Sequence, residues 1–272
     1  MKFGFYTPNF DFCGDARVLA ELAYEAEGAG WDGFFIWDHL QFTEPTADPW
    51  VALTAMALRT QRIRVGPLVT PVPRRHVAKL AREVITLDHL SNGRVVLGVG
   101  AGFPSLPDYA AFGDGSDPKV RAAKLDEGLE VLAGLWSGNP VKHHGIHYQV
   151  ECSAFQQAFQ KPRVPVWVAA KWPSAKPLQR AARWDGIVPV GTNGLEVEPK
   201  ELHSIVSYIR ERRGTDDKFD VIRFGKTQDP DDTAMVEACA HAGASWWIEY
   251  IFTRGSSLEA TRTRLHQGPP RL

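Results

Sequence analysis

Short apolar runs alternate with longer amphipathic runs from one end of the chain to the other. In the first amphipathic run, Asp15 is placed to cap a helix, and Gly28 follows its last apolar residues. The apolar stripe of this helix consists of Val18, Leu19, Leu22, Ala23 and Ala26. Spacings of three and four residues are the helical period, so the run predicts an amphipathic helix.

The same alternation predicts eight strands, each followed by a helix. The predicted strands cover residues 2–8, 33–38, 63–70, 94–100, 164–170, 186–190, 219–225 and 245–252. After the first helix, the predicted helices cover residues 48–60, 77–90, 120–136, 175–183, 199–213, 232–242 and 258–265. The adjacent tryptophans Trp246 and Trp247 must point to opposite faces of the last strand.

Several predicted strands are apolar throughout, including VVLGV, VPVWVA and WWIEYI. Continuous apolar strands are typical of parallel sheets that are covered on both faces. Eight strand–helix units in 272 residues favour a single (β/α)8 TIM barrel over an open sheet. We therefore expect one domain over residues 1–272, with a loop at 103–118 and a hairpin at 139–163 as insertions.

Composition narrows the partners and the compartment. The formal net charge of −1 provides no overall basic field for nucleic acid or an anionic membrane. The three cysteines are odd in number and widely spaced, which favours a reducing compartment over a disulfide framework. The first residues contain too short an apolar run for a signal peptide. We expect a cytoplasmic protein that acts on a small molecule and binds neither nucleic acid nor a membrane.

In a TIM barrel, catalytic residues lie at the carboxyl ends of the strands and in the loops that follow. Among the positions that this rule selects, the pair Asp38 and His39 has the clearest chemical potential. Histidine exchanges protons near neutral pH, and an adjacent carboxylate can orient it. A hydrogen-bonded polar pair without a catalytic role is an equally acceptable interpretation of the spacing alone.

The glycine-rich residues 98–102 follow the predicted fourth strand. They do not match the dinucleotide fingerprint, because Phe103 occupies the position of the third glycine and a loop follows instead of a helix. Small residues would allow a flat ring to approach the backbone closely, and a tight loop at the barrel rim explains them equally well.

Residues 169–174 join the predicted fifth strand to its helix. Small residues, Lys171 and the free N–H groups of a helix N-terminus are the components of a phosphate site. An exposed lysine on a loop is the simpler alternative. The basic run at residues 74–82 likewise fits either a solvated helix face or a contact with an acidic part of a cofactor.

His143, His144 and His147 form a cluster that could suggest a metal. However, Gly145 suits a hairpin turn that would separate the imidazoles, and no paired carboxylate or cysteine lies nearby in the sequence. We therefore expect no metal site here.

Five stretches of the chain resemble the luciferase-like family of flavin- or deazaflavin-dependent oxidoreductases. They are residues 30–39, 62–83, 86–100, 165–169 and 181–186. The segment TLDHLSNGRVVLGVG at 86–100 is the most specific of them. The resemblance extends over nearly the whole chain and implies a TIM barrel that is often dimeric.

The resemblance also implies a cofactor that lies over the carboxyl-terminal rim of the barrel. It implies that Asp38 and His39 lie near the reactive ring and that Val69 and Thr70 support its back face. The edge of the ring is expected at Gly100, Ala101 and Gly102. The cofactor phosphate is expected at Ala169, Ala170, Lys171, Trp172 and Ser174.

The chain departs from the family pattern in two places. The fifth strand of the family is usually followed by a glycine-rich turn, which reads Ala-Ala-Lys-Trp here. Phosphate contacts are therefore expected to involve Lys171. The chain is also shorter than typical members, and a brief loop follows the sixth strand, so we expect a reduced lid over the substrate.

The leading hypothesis is hydride transfer with the deazaflavin coenzyme F420, to or from a small organic substrate, with His39 as the proton donor or acceptor. The protein's part is to position the reactants and manage the proton, while the cofactor carries the hydride. An FMN-dependent monooxygenase that uses reduced flavin and oxygen is the nearest alternative. A catalytically silent flavin-binding barrel is a further alternative.

Overall fold

A computed structural model describes residues 1–42, 44–103, 108–115, 117–192, 194–215, 217–252 and 255–272. Two kinds of element alternate along these residues, as the sequence pattern predicts. The strands are β1 (Lys2–Thr7), β2 (Gly33–Ile36), β3 (Arg64–Pro67), β4 (Thr70–Pro71), β5 (Leu97–Gly100), β6 (Val141–His144), β7 (Gln149–Cys152), β8 (Val166–Lys171), β9 (Gly186–Val190), β10 (Asp220–Gly225) and β11 (Trp246–Tyr250).

Eight helices cover the strands on the outside. They are α1 (Ala16–Gly28), α2 (Pro49–Arg59), α3 (Val77–Leu90), α4 (Pro118–Trp136), α5 (Ala175–Ala182), α6 (Pro199–Arg213), α7 (Ala234–His241) and α8 (Leu258–His266). The carboxylate of Asp15 accepts the backbone N–H of Arg17 at 2.8 Å, which confirms the predicted cap of α1. Among the described residues, no helix combines the length and apolar character needed to cross a bilayer.

The strands form one parallel sheet in the order β3-β2-β1-β11-β10-β9-β8-β5-β4. The sheet closes on itself because β3 contacts the segment just before β5. There Val65 donates its N–H to the carbonyl of Arg94 at 3.1 Å and accepts the N–H of Val96 at 3.0 Å. The predicted (β/α)8 barrel is therefore confirmed.

The third barrel position differs from the prediction of one strand over residues 63–70. It is divided into β3 and β4, and the peptide bond between Leu68 and Val69 is cis. The backbone is also crowded at this closure. A Cβ added to Gly66 would lie 1.9 Å from the carbonyl oxygen of Val96, so only glycine fits.

Two apolar layers lie on opposite faces of the sheet, because strand side chains alternate. The larger layer lies between the sheet and the helices and includes Trp247. The smaller one fills the barrel interior and includes Trp246, whose ring centroid lies 5.2 Å from that of Trp167. The prediction that the tryptophan pair points to opposite faces is confirmed.

A surface carboxylate at the bottom of the barrel joins α1 to the segment before β3. Glu27, near the end of α1, accepts the backbone N–H groups of Gln61, Arg62 and Ile63 at 3.0, 2.5 and 2.8 Å, just before β3. Burial alone would raise the pKa of Glu27, but these three donors lower it below the ordinary 4.5. The ionised carboxylate therefore stabilises the connection between α1 and β3.

The predicted hairpin is confirmed as the antiparallel pair β6 and β7. Its turn is held by Glu127 of α4, which accepts the backbone N–H groups of His147 and Tyr148 at 3.0 and 2.7 Å. The imidazole of His143 contacts the same carboxylate, whereas that of His144 contacts Gln149. Within the described ranges, no three or more His, Cys, Asp or Glu side chains are grouped as a metal site would require.

Candidate functional site

His39 lies three residues beyond the end of β2, at the mouth of the barrel. Its Nδ1 lies 2.6 Å from Oδ2 of Asp108, and their side chains are 19% and 4% exposed. A carboxylate oxygen only accepts hydrogen bonds, so Nδ1 is the donor, and in the neutral imidazole Nε2 carries the lone pair. This tautomer leaves Nε2 ready to accept a proton at the mouth.

Asp108 is itself held by two other donors. The guanidinium of Arg74 donates from Nη1 at 2.6 Å, and the backbone N–H of Gln41 donates at 3.2 Å. Arg74 also donates from Nη2 to Oδ1 of Asp38 at 2.6 Å, and its side chain is only 1% exposed. One buried guanidinium therefore joins two carboxylates from different loops.

The carboxylate of Asp38, which follows β2, bonds to residues of the neighbouring β4 segment. It accepts a hydrogen bond from the hydroxyl of Thr70 at 2.8 Å and a charged one from Arg75 at 2.5 Å. The prediction that Asp38 orients His39 is therefore wrong, because Asp108 makes that contact. Two positively charged arginines and a hydroxyl donate together to the buried Asp38 carboxylate and hold it on the β4 side.

The basic run at residues 74–82 is divided between two environments. Arg74 and Arg75 point inward to the mouth, as described above. Lys79 pairs with Glu83 on the outer face of α3 at 2.5 Å. The solvated-face interpretation therefore fits Lys79, whereas Arg74 and Arg75 contact carboxylates of the protein itself. A contact of this run with an acidic part of a cofactor stays a prediction.

Three small or branched residues, which belong to the barrel positions of β4, β5 and β8, form the floor of one part of the mouth. Val69 and Ala169 pack on top of the interior apolar layer. A Cβ added to Gly100 would lie 3.0 Å from Cγ2 of Val69 and 3.5 Å from Cβ of Ala169. The absence of a side chain at Gly100 keeps this floor low and open to a flat group.

Tyr109 bonds to and packs against the loop that follows β5. The hydroxyl of Tyr109 donates to the carbonyl of Ala101 at 3.0 Å. Gly102 adopts a φ of +79°, and a Cβ there would lie 2.5 Å from the ring of Tyr109. The conformation therefore requires glycine at 102, and this residue borders the low floor.

The predicted phosphate residues are separated by the alternation of β8. Ala169 and Lys171 share one face, whereas the side chain of Ala170 packs toward the helices. The ring of Trp172 also packs against that outer layer, and the backbone N–H of Trp172 donates to the carbonyl of Val190 at 2.8 Å. Lys171 is exposed. Side-chain contacts with a ligand at this rim are therefore open to Ala169 and Lys171.

Helix α5 begins directly after this rim with Ser174 as its N-cap residue. The Ser174 side chain makes no capping hydrogen bond within the described part of the chain. Because Pro177 has no N–H, the first turn offers the N–H groups of Ala175 and Lys176. This arrangement has the donors and the charge that an anion requires.

An aromatic wall lines the mouth beside His39. Its members are Tyr6, Phe10, Trp37, Phe42, Tyr250 and Phe252. The ring of Trp37 is central, because its centroid lies 5.4 Å from Phe10, 5.5 Å from Phe42 and 5.8 Å from Phe252. The imidazole of His39 meets the same indole edge-on at 5.3 Å.

Both tyrosines of the wall donate within the protein. The hydroxyl of Tyr6 donates to the carbonyl of Leu68 at 2.7 Å, and that of Tyr250 donates to the carboxylate of Glu196. Burial and, to a lesser degree, the neighbouring Glu196 raise the pKa of Tyr250 well above its ordinary value. Tyr250 is therefore a neutral phenol at physiological pH. The ammonium of Lys226 lies 4.6 Å from its ring centroid.

His39 can be found from the sequence, whereas Asp108 and the aromatic wall were not predicted from it. Asp108 follows His39 by 69 residues in an irregular loop, and no spacing relates the two. The wall residues Phe10, Phe42 and Phe252 also lie just beyond strand ends. An inspection for aromatic residues in those loops could have found them.

The fold and this mouth define a TIM barrel with a histidine–carboxylate pair at its carboxyl-terminal rim. The chain belongs to the luciferase-like monooxygenase family, whose model matches residues 1–267. This confirms the family resemblance found in the sequence.

Two relatives carry the name F420-dependent glucose-6-phosphate dehydrogenase. The protein of Amycolatopsis mediterranei is 34% identical over 193 residues, which are 68% of this chain and 57% of that protein. The protein of Beutenbergia cavernae is 33% identical over 237 residues, which are 84% of this chain and 69% of that protein. This chain therefore spans little more than half the length of the Amycolatopsis relative.

Solved structures agree on the fold. An F420-dependent secondary alcohol dehydrogenase in complex with an F420-acetone adduct aligns with a TM-score of 0.80. The alignment covers 98% of this chain and 97% of that one at 17% sequence identity. At this identity the likeness shows the shared barrel.

Proposed function

We propose that this chain is an F420-dependent oxidoreductase in which His39 transfers the proton that accompanies hydride transfer. The observation that carries the proposal is the His39–Asp108 contact at the barrel mouth, with Nε2 left as the proton-accepting nitrogen. The names of the relatives from Amycolatopsis and Beutenbergia support F420 as the cofactor.

The residues of the low floor fit a flat ring. The low floor formed by Val69, Gly100 and Ala169 has room because Gly100 lacks a Cβ that would meet both neighbours. Gly102 continues this border at a φ that other residues rarely adopt. Thr70 and Ala101 support the floor through the Asp38 and Tyr109 hydrogen bonds.

When bound, F420 supplies a carbon that accepts or donates a hydride. The work of the chain is to move the proton. In the direction of alcohol oxidation, Nε2 of His39 accepts the hydroxyl proton as the C–H bond breaks. The resulting imidazolium is stabilised by Asp108, and Arg74 keeps that carboxylate in place. In the reverse direction the same Nε2 returns the proton to the carbonyl oxygen.

The anionic end of the cofactor would bind at the start of α5. Lys171 supplies a cation, and the Ser174 hydroxyl with the first-turn N–H groups supplies neutral donors. Of the predicted contacts, Ala170 and Trp172 would take part through backbone rather than side chain, because both side chains pack outward.

Titration of the purified protein with F420 and with FMN tests the cofactor. We expect F420 to bind and FMN to bind at least about 100-fold more weakly, a difference of roughly 2.7 kcal/mol. Tight binding of FMN together with no binding of F420 would replace this proposal with the FMN-dependent monooxygenase. Binding of F420 without turnover on any alcohol or carbonyl would favour a catalytically silent barrel.

A His39→Gln variant tests the proton transfer. We expect F420 affinity to persist and turnover to fall by about 100-fold or more, as for other general acid–base residues. His89→Gln is a matched control, because His89 lies on the outer side of the barrel and contacts the carbonyl of Gln157. Full turnover by His39→Gln would remove His39 from the mechanism.

We further propose that the chain is one barrel domain, forms a homodimer and works in the cytoplasm on a small molecule. The outer face of α2 supports the dimer, because Val51 and Leu58 are each 64% exposed and lie two turns apart. The three free cysteines, Cys13, Cys152 and Cys239, suit a reducing compartment. Light scattering of the purified protein tests the dimer.

A further inference from the structure

The strand order divides the mouth into two halves. Consecutive positions β4, β5 and β8 carry the low floor and the rim at Lys171. Consecutive positions β2, β1 and β11 carry His39 and the aromatic wall. If the cofactor ring covers the first half, a substrate that reaches Nε2 of His39 must lie against the second half.

The second half presents ring surfaces to such a substrate. His39 contacts the Trp37 ring at 5.3 Å and the Phe42 ring at 6.1 Å between centroids. Phe252 continues this surface beyond Trp37 and is 39% exposed. A substrate oxygen placed at Nε2 therefore brings its carbon skeleton against indole and phenyl rings.

The wall offers few hydrogen-bond donors. Tyr6 and Tyr250 each use their single hydroxyl proton within the protein. The buried indole N–H of Trp37 is the wall's one unused donor among the residues that the structure describes. A sugar carries several hydroxyl groups that would lose water here without replacement, and each such loss is unfavourable.

One carboxylate beside the wall also disfavours a phosphate. The carboxylate of Glu196 accepts from Tyr250 at the edge of the wall and would repel a dianion. The nearby cation, Lys226, lies over the rings of Tyr250 and Phe252, at 4.6 and 5.5 Å from their centroids. Lys171 lies on the other half of the mouth, at the end of β8.

We propose that the substrate is an alcohol, or the corresponding carbonyl compound, with an apolar body, and that it is not a sugar phosphate. This inference rests on the proposed F420-dependent function. In oxidation, the substrate loses a hydride from its carbinol carbon, which reduces the deazaflavin by two electrons. Its hydroxyl proton passes to Nε2 of His39, and the C–O single bond becomes a carbonyl.

Two ligands and two variants test this inference. The ligands are 1-phenylethanol and glucose 6-phosphate, each offered with oxidised F420, and turnover is followed by loss of the cofactor's visible absorbance. We expect kcat/KM for 1-phenylethanol to exceed that for glucose 6-phosphate by at least about 100-fold, because one ring buries enough apolar area for such a preference.

The variants distinguish the wall from the cation. Phe252→Ser should raise KM for 1-phenylethanol by about 10-fold through lost apolar contact, with F420 affinity unchanged. Lys226→Met should leave the turnover of 1-phenylethanol unchanged. The inference is overturned if glucose 6-phosphate is the better substrate, or if Lys226→Met abolishes activity while Phe252→Ser has no effect.

Calorimetry with acetophenone separates this inference from the proposed function. We expect acetophenone to bind the protein at least about 10-fold more tightly than glucose 6-phosphate does, and Phe252→Ser to remove that difference. If F420 fails to bind but acetophenone behaves as expected, the cofactor assignment fails and the apolar site stands. If F420 binds and acetophenone does not, the apolar site fails alone.

Discussion

Removing the charge of Asp108 tests the central contact of the site. In Asp108→Asn the shape is nearly unchanged, but Nδ1 of His39 loses a charge-assisted hydrogen bond with a length of 2.6 Å. Such a bond contributes about 1.5–3 kcal/mol in stabilising a positively charged partner. Since roughly 1.4 kcal/mol corresponds to a factor of ten in rate, proton transfer through His39 should slow by about 10- to 150-fold.

The tautomer adds to this loss. A side-chain amide can donate to Nδ1, which would place the proton on Nε2, where the substrate hydroxyl needs an acceptor. Oxidation of an alcohol should therefore suffer at least as much as the charge argument alone predicts. Arg74 and His39 share Oδ2 of Asp108, so an amide nitrogen turned toward His39 would also lose the Arg74 contact. The amide oxygen would still accept the backbone N–H of Gln41, so we expect the loop to keep its place.

Single-turnover kinetics provide the assay. Protein with bound F420 is mixed with an alcohol in a stopped-flow instrument, and the loss of visible absorbance gives the rate of hydride transfer. The control is Asp114→Asn, because Asp114 is an exposed carboxylate of the same loop. If Asp108→Asn changes the rate by less than about threefold, the energy argued above is absent and Asp108 is not the partner that matters.

Three further predictions concern stability and cofactor binding. Gly66→Ala should cost about 3 kcal/mol or more in urea unfolding, because its Cβ would lie 1.9 Å from a carbonyl oxygen, whereas Gly28→Ala meets nothing within 4 Å and should be neutral or stabilising by up to about 1 kcal/mol. Glu27→Gln should lose about 1–2 kcal/mol at pH 7. Because folding lowers the pKa of Glu27 below 4.5, this difference should be present above that value and disappear as pH falls through the lowered pKa; an unchanged difference in acid would contradict the reasoning. Lys171→Met should weaken F420 binding about 10-fold in a fluorescence titration, and Lys200→Met, in the first turn of α6, should not.

The barrel could be predicted from the sequence because its evidence is local. Apolar periods, the Asp15 cap and the hairpin glycine each depend on neighbours a few residues away. The break in the third strand could not be predicted this way. It depends on the approach of Gly66 to Val96, which only closure of the barrel creates.

The sequence predicts a site residue only where a side chain with suitable chemistry lies at or just after the end of a strand. His39 satisfies that condition, and so does Lys171. The partner of His39 comes from an irregular loop, and adjacency in sequence favoured Asp38 instead. Arg74 and Arg75 hold the Asp38 carboxylate on the β4 side. The sequence pattern does not show which of the nearby cations a carboxylate will bind.

The link from Arg74 to Asp108 has a consequence for redesign of this barrel. Loops at the mouth are natural targets for grafting, since they can be exchanged without altering the strands. Here a graft at 103–118 that lacked an acid at position 108 would leave a deeply buried guanidinium facing one carboxylate instead of two. Donor loops should therefore be chosen first for that acid and only then for their length or shape.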